Sequence, residues 1–283
     1  MKIGLINLAL DLYQRGIFKN LNSILDMGTK ELRVSYNDLK KSLEQVNINL
    51  NNKKFNILKK FPKGKRISTE NFWKLLKAKK YTCIDINKSN NSIYLDLNFP
   101  LKAKKLNSKF DLVIDFGNNE HVFNIGEAYK SMYTMCKKNG YLWINQSVFG
   151  GNGFFNFDQS FFEGFAASNS LSIIHMCYVV PVDTYKQFII PCDKDLLSKL
   201  NLNKLDNIDI SCIFRKKTNN KFEYNYQYNL NNDQKPYLQT YIGNNYPPEK
   251  IYIPTRNKKD LIKAAKKGDE LAIQWLRSVG IKF

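Results

Sequence analysis

The run Phe110-Asp-Leu-Val-Ile-Asp-Phe-Gly117, continued by Asn118-Asn-Glu-His-Val-Phe-Asn124, decides how the rest of the chain is read. Its first seven residues form a short apolar run rather than an apolar/polar alternation. That is the pattern of a strand covered on both faces, as in a parallel sheet with helices on each side. The run ends in an acid and a glycine, so a carboxylate and a conformationally free backbone fall where the strand stops. Helical spacing follows in Ile125, Ala128, Tyr129, Met132 and Met135, Gly140 reads as a stop, and Tyr141-Leu-Trp-Ile-Asn145 reads as the next strand.

The same motif of strand, terminal acid and helix recurs on either side. Upstream, residues 5–19 are expected to form an amphipathic helix. Asn22-Ser-Ile-Leu-Asp-Met-Gly28 reads as a strand, as do Tyr81-Thr-Cys-Ile-Asp-Ile86 and Ser92-Ile-Tyr-Leu-Asp-Leu97. Helical pieces are expected at 36–46, and at 71–77 behind Ser68 as N-cap. Downstream, 159–168 reads as helix, 171–180 and 208–214 as strands, and Pro181 to about Asn207 as irregular. Strands alternating with helices imply parallel pairing through right-handed crossovers. The expected architecture is α/β, a doubly wound and mainly parallel seven-stranded sheet. It spans 1–215 with a helical insertion at about 33–80, followed by a C-terminal extension, 216–283. That extension reads as a polar, Asn- and Tyr-rich extended segment and then helix at 258–278.

Composition narrows the function classes. The chain has 283 residues with a net charge of +19, and its excess base is Lys rather than Arg. An anionic partner is one reading of that charge. The other is nucleotide bias, since Lys, Asn, Ile, Tyr and Phe are all abundant. Residues 53–80 hold eleven Lys and Arg against Glu70, interleaved with Phe55, Phe61, Phe72, Trp73 and Tyr81. This stretch keeps a nucleic-acid interface open as an alternative. No run approaches the roughly 20 apolar residues of a membrane span. The five cysteines show no CxxC spacing, no metal-ligand constellation is legible, and a reducing, cytoplasmic setting is expected.

Four acids close predicted strands: Asp26, Asp85, Asp96 and Asp115. Ligands of open parallel sheets bind beyond the carboxyl ends of the strands, at the switch point. Any one such Asp also serves as a helix cap or turn former, but together with Gly28 and Gly117 the four describe an adenosine site. A nicotinamide site would need Gly-x-Gly-x-x-Gly, and Met27-Gly-Thr-Lys-Glu-Leu32 has one of those glycines. Glu120 and His121, just past the 110–117 strand, are the candidate proton-transfer pair. Locally they have other uses, Glu120 at a helix N-terminus and His121 in packing.

These motifs resemble the class I S-adenosylmethionine-dependent methyltransferases. Ile24-Leu-Asp-Met-Gly28 is similar to their first motif and Phe110 to Asn124 to their fourth. The run from Asp96-Leu-Asn-Phe-Pro100 to Gly151-Asn-Gly-Phe-Phe-Asn-Phe157 is similar to a methyltransferase-like group within them. The resemblance covers about 20–180. It implies S-adenosylmethionine as cofactor. Asp26, Met27, Gly28 and Thr29 would surround its methionine part, and Asp85, with Ile86, the ribose. Asp96 and Leu97 would flank the adenine, with Asp115, Phe116 and Gly117 beside the sulfonium. It further implies methyl transfer to an O or N atom of a small molecule or glycan intermediate. Two positions depart from the pattern: Lys30 stands where a second glycine is usual, and Asn152 where related proteins often carry His. A binding or scaffold protein on a degenerate methyltransferase fold is therefore the second reading. Asp26 and Asp85 are also much farther apart than the roughly 20 residues of a simple βαβ unit, which requires the insertion.

Overall fold

The computed structural model describes residues 1–48, 67–87, 92–181, 187–193, 207–225 and 258–268, together with 272–273, 276 and 282. Its strands are β1 (Ser23–Met27), β2 (Glu31–Leu32), β3 (Ile67–Ser68), β4 (Lys80–Asp85), β5 (Ser92–Tyr94), β6 (Phe110–Phe116), β7 (Cys136–Phe149), β8 (Leu171–Pro181), β9 (Gln187–Pro191) and β10 (Ile208–Lys216). Its helices are α1 (Ile3–Gln14), α2 (Tyr36–Gln45), α3 (Glu70–Leu75), α4 (Ile125–Met135), α5 (Gln159–Ser168) and α6 (Lys258–Lys266).

The main sheet runs β5-β4-β1-β6-β7-β10-β8-β9. Pairing is parallel from β5 through β7, and β10 is antiparallel to both β7 and β8. The chain builds one side of β1 with β4 and β5, then crosses to the other with β6 and β7. The switch point therefore lies between β1 and β6. β2 and β3 form a separate two-stranded pair that brackets the insertion.

β1 is buried along its whole length, with side chains alternating between two cores. Leu25 and Met27 join Tyr129, Met132, Phe162, Phe165 and Ala265, on the face covered by α4, α5 and α6. Ile24 joins Leu5, Leu8, Leu43, Phe72 and Trp73, on the face covered by α1, α2 and α3. Trp143 of β7 anchors the second core. It is fully buried, packs edge-on against Trp73 and Phe116, and donates its indole N–H to Ser211 Oγ at 2.8 Å.

Several expectations shift. The sheet has an eighth strand, because Gln187-Phe-Ile-Ile-Pro191, inside the stretch read as irregular, pairs with β8 at the edge of the sheet. The 92–97 strand ends at Tyr94, since Asp96 Oδ1 accepts from both the backbone N–H and the side-chain amide of Asn98 and turns the chain. The helix read over 5–19 starts at Ile3 and stops at Gln14. The helix read from Ile125 toward the stop at Gly140 ends at Met135, and extended backbone pairing opposite Phe110 begins at once. Ser68 is the expected N-cap of the helix behind it, but that place is taken by Thr69, which makes no side-chain cap bond; Ser68 Oγ, one residue earlier, accepts from Glu70 N at 3.1 Å. Phe72 and Trp73 are buried, so they are core residues rather than stacking groups, and 49–66, the centre of the basic stretch, lies outside the described residues. In the extension, residues 217–225 lie over the α4/α5 face, where Phe222 meets Tyr133 and Phe165. Ala265, Ala272 and Leu276 join the same core. The polar segment 226–257 is outside the described residues.

Truncating Trp143 tests whether one core couples α1 and α3 to the sheet. Trp143→Ala should lower the unfolding free energy by about 3–5 kcal/mol in urea titrations. A loss under about 1 kcal/mol would mean that this face is not cooperatively packed.

Candidate functional site

Asp26, Asp85 and Asp115 sit at or one residue short of the carboxyl ends of the adjacent parallel strands β1, β4 and β6. They share one edge of the sheet, but their environments differ because alternation sends them to different faces.

Asp85, the last residue of β4, remains partly open to solvent. Its Oδ2 accepts from the backbone N–H of Thr29 at 3.0 Å and from Thr29 Oγ1 at 2.9 Å, and its Oδ1 accepts from Asn87 N at 2.8 Å. Burial alone would raise its pKa, but these bonds outweigh it and hold the carboxyl below the usual range, so it is ionised near neutral pH. Asp85 thus fastens the loop after β1 to the end of β4. Ile86, beside it, is 54% exposed, an apolar side chain left facing solvent at the strand tip. Asp96 lies two residues beyond β5 in its turn with Asn98, and Leu97 is buried against the main core.

Asp26 points into the face of α1 and α3. Its Oδ2 accepts from Tyr81 Oη at 2.6 Å and from Thr69 Oγ1 at 3.1 Å, which ties β1 to the end of the insertion. Burial pushes its pKa up to about 6, against the hydrogen bond from Tyr81 and the charge of Lys30. Met27 is wholly buried. Gly28 (φ +125°) and Gly117 (φ +65°) hold the left-handed backbone at which the two loops turn toward each other. Phe116 is turned away from the edge, its ring edge-on to Trp143 at 5.0 Å.

Asp115 points to the opposite face. Its Oδ1 accepts from the N–H groups of Asn118 and Asn119, and its Oδ2 from the Gln146 side-chain amide. Burial is the largest influence and pushes its pKa up to about 7. Lys30 and the two backbone N–H groups oppose that rise, and Glu120 adds to it. Around it lie polar side chains that were not legible as functional. Asn119 and Gln146 are fully buried, Asn145 nearly so, and both amide atoms of Asn119, Gln146 Oε1 and Asn145 Oδ1 have no hydrogen-bond partner. Their one signal in the sequence is a polar run, Asn145-Gln-Ser147, closing an apolar strand. Asp209 of β10 accepts from Asn145 Nδ2 at 3.0 Å, and burial pushes its pKa up to about 6.

Glu120 and His121 lie in a short 3₁₀ turn after β6. Glu120 is buried, and its Oε2 accepts from Ser147 N at 3.0 Å. Its carbonyl accepts from Phe154 N at 2.8 Å, and a Cβ on Gly153 would meet that carbonyl oxygen at 2.7 Å. Glu120 therefore pins the 150–154 loop to β6. His121 is exposed, with Nε2 3.6 Å from Glu120 Oε1. Exposed rings of Phe123 and Phe154 stand edge to face, 6.1 Å between centroids, in the same region, and Asn152 is exposed on that loop. Among the described residues no group of His, Cys, Asp and Glu is placed to hold a metal ion, and no helix is long and apolar enough to cross a membrane.

The raised pKa of Asp115 has a definite sign in stability. The folded chain keeps this proton from about pH 4, where an unfolded carboxyl loses it, up to about pH 7. Stability therefore falls across that window as pH rises and levels off above it. Asp115→Asn removes the titration. Relative to the variant, the wild type should lose on the order of 1–3 kcal/mol of unfolding free energy between pH 5 and pH 7.5. Parallel stability curves for the two would contradict the assignment.

No protein-family model matches the sequence, and neither does any curated protein. Solved structures of similar overall path include two methyltransferases. One is the Burkholderia thailandensis 1,6-didemethyltoxoflavin-N1-methyltransferase, crystallised with 1,6-didemethyltoxoflavin and S-adenosylhomocysteine. It is 9% identical, over 75% of this chain and 78% of that one, with a TM-score of 0.34. The other is a SAM dependent methyltransferase from Archaeoglobus fulgidus, 13% identical over 75% of this chain and 94% of that one, with a TM-score of 0.38. The strand order, with its parallel run through β7, its antiparallel β10 and its helices on both faces, is that of a class I, Rossmann-like methyltransferase fold.

Proposed function

We propose that the chain is an S-adenosylmethionine-dependent methyltransferase acting on an O or N atom of a small molecule or glycan intermediate. The observation that carries this reading is the strand edge itself. An ionised, partly open Asp85, an exposed Ile86 and two positive-φ glycines flank the switch point of a doubly wound sheet, where such sheets bind ligands.

The residues fit the adenosine half of the cofactor. Thr29 and Asn87 take three of the roughly four acceptor positions of the Asp85 carboxylate, which leaves one for a ribose hydroxyl, with Ile86 as apolar surface for the base and the Asp96–Leu97 turn beside it. Asp26, Met27 and Phe116 support the two loops from below, and Thr29, Gly28 and Gly117 form their backbone. Asp115 sits beneath the β6 loop and shapes its field. When bound, the cofactor supplies an activated methyl group. The protein supplies orientation and a place for the acceptor's proton. His121 is the accessible base, and Glu120 is a positioning residue that holds its turn against β7. Phe123 and Phe154 offer an apolar wall to an acceptor.

One observation favours the second reading, a binding protein on the same fold: Lys30 and Asn118 reach across the crevice between β1 and β6. The nucleic-acid alternative loses Phe72 and Trp73 to the core.

Calorimetric titration of the full chain with S-adenosylhomocysteine separates these readings. Binding is expected, and Asp85→Ala should weaken it roughly a hundredfold, the equivalent of losing about 2–3 kcal/mol of charge-assisted hydrogen bonding. No heat and no thermal shift at millimolar ligand would contradict the enzyme reading.

A further inference from the structure

The crevice at the switch point already contains a cation, and it is the chain's own. Lys30 follows the turn of Gly28 and Thr29, and its side chain runs across to the loop after β6. There its Nζ donates to the carbonyl oxygen of Gly117 at 3.2 Å. Beside it, Asn118 closes on the other loop so tightly that a Cβ on Gly28 would meet Asn118 Oδ1 at 2.6 Å. Lys30 is half-buried, and no carboxylate among the described residues lies within ion-pair distance of its ammonium. Its charge nevertheless acts on both carboxyls that flank the crevice from below, favouring the ionised forms of Asp26 and Asp115.

A carbonyl acceptor between two buried acids, at the mouth of a switch-point crevice, is a setting that favours a cation. We propose that this is a cation subsite with Lys30 as its resident occupant, and that a cationic ligand entering the crevice displaces the lysine ammonium. The inference rests on the cofactor reading above, which supplies the ligand: the amino-acid half of S-adenosylmethionine carries an ammonium and a sulfonium. Lys30 then acts as an internal competitor. The binding-competent state is the fraction in which Lys30 has left Gly117, and apparent affinity is reduced by that fraction. The competition bears on the amino-acid half and spares the adenosine half, which lies toward Asp85 and Ile86 on the β4 side of β1.

The test is calorimetric titration of the full-length wild type, Lys30→Ala and Lys30→Met with S-adenosylmethionine, S-adenosylhomocysteine and adenosine. Thermal unfolding of each variant checks that it is folded. Lys30→Met keeps the length of the side chain and removes its charge. Both substitutions should tighten S-adenosylmethionine and S-adenosylhomocysteine at least tenfold and leave adenosine within about twofold of wild type. Wild-type binding that is unchanged or weakened by the substitutions would overturn the inference alone, since Lys30 would then be idle or would grip the ligand's carboxylate. Tightening in Lys30→Ala but not in Lys30→Met would also overturn it, because bulk and not charge would be responsible. If no variant binds any of the three ligands, the cofactor reading fails and the inference falls with it.

Discussion

The site depends on one partly buried lock at the far end of the sheet. Asp111, near the start of β6, accepts through Oδ2 from Asn22 N, Ser23 N and Ser23 Oγ at the start of β1. Its Oδ1 accepts from Lys137 Nζ at 2.9 Å. Burial opposes ionisation there, but the bonds from Lys137 and Ser23 outweigh it and hold the carboxyl below the usual range. The lock fixes the parallel register of β1 on β6, Ile24 opposite Leu112 and Asp26 opposite Ile114. A slip of one residue would send every side chain of β1 to the wrong core. It would also misplace Gly28 against Asn118, and with it the crevice.

Because the register is fixed at one edge, the chemistry collects at the other. Three aspartates on neighbouring strands are put to three uses. Asp85 stays ionised and open and ties down a loop. Asp26 is drawn inward by Tyr81 and Thr69 and joins the insertion to the sheet. Asp115 is sealed among amides, and burial keeps its proton on up to about neutral pH. In the protonated state, turning over the Gln146 amide gives its unpartnered Oε1 a donor in the Asp115 hydroxyl. The same residue type at three equivalent strand tips is sorted by burial and by which face the pleat assigns to it.

Much of this was legible in the sequence, for reasons that can be named. Short apolar runs predicted the five strands that pair in parallel, four of them ending in Asp and the fifth, Tyr141 to Asn145, in Asn, since strands buried on both faces leave no room for polar alternation. The terminal acids marked their carboxyl ends. What was not legible depends on tertiary contacts. Gln187–Pro191 is no shorter than β1, but it ends in a proline inside a stretch with no strand-and-helix alternation, and it becomes a strand by pairing on the edge of β8. Nothing local shows that Phe116 turns toward Trp143, that Asn118 packs on Gly28, or that Lys30 reaches Gly117 rather than solvent. The partner in each case is more than 25 residues away or on another element. Nor does anything local show that the Glu120 carboxylate accepts from Ser147 N of β7 while its backbone carbonyl accepts from Phe154 N of the 150–154 loop.

The central claim is that the strand edge beyond Asp85 receives an adenosine and that the crevice beside it holds a cation. A crystal structure of the full chain grown with S-adenosylhomocysteine tests both parts at once. A ribose hydroxyl is expected within hydrogen-bond distance of the Asp85 carboxylate, the base over Ile86, and Lys30 Nζ moved off the Gly117 carbonyl. Ligand bound away from the carboxyl ends of β1 and β4, or bound there with Lys30 still on Gly117, would contradict it.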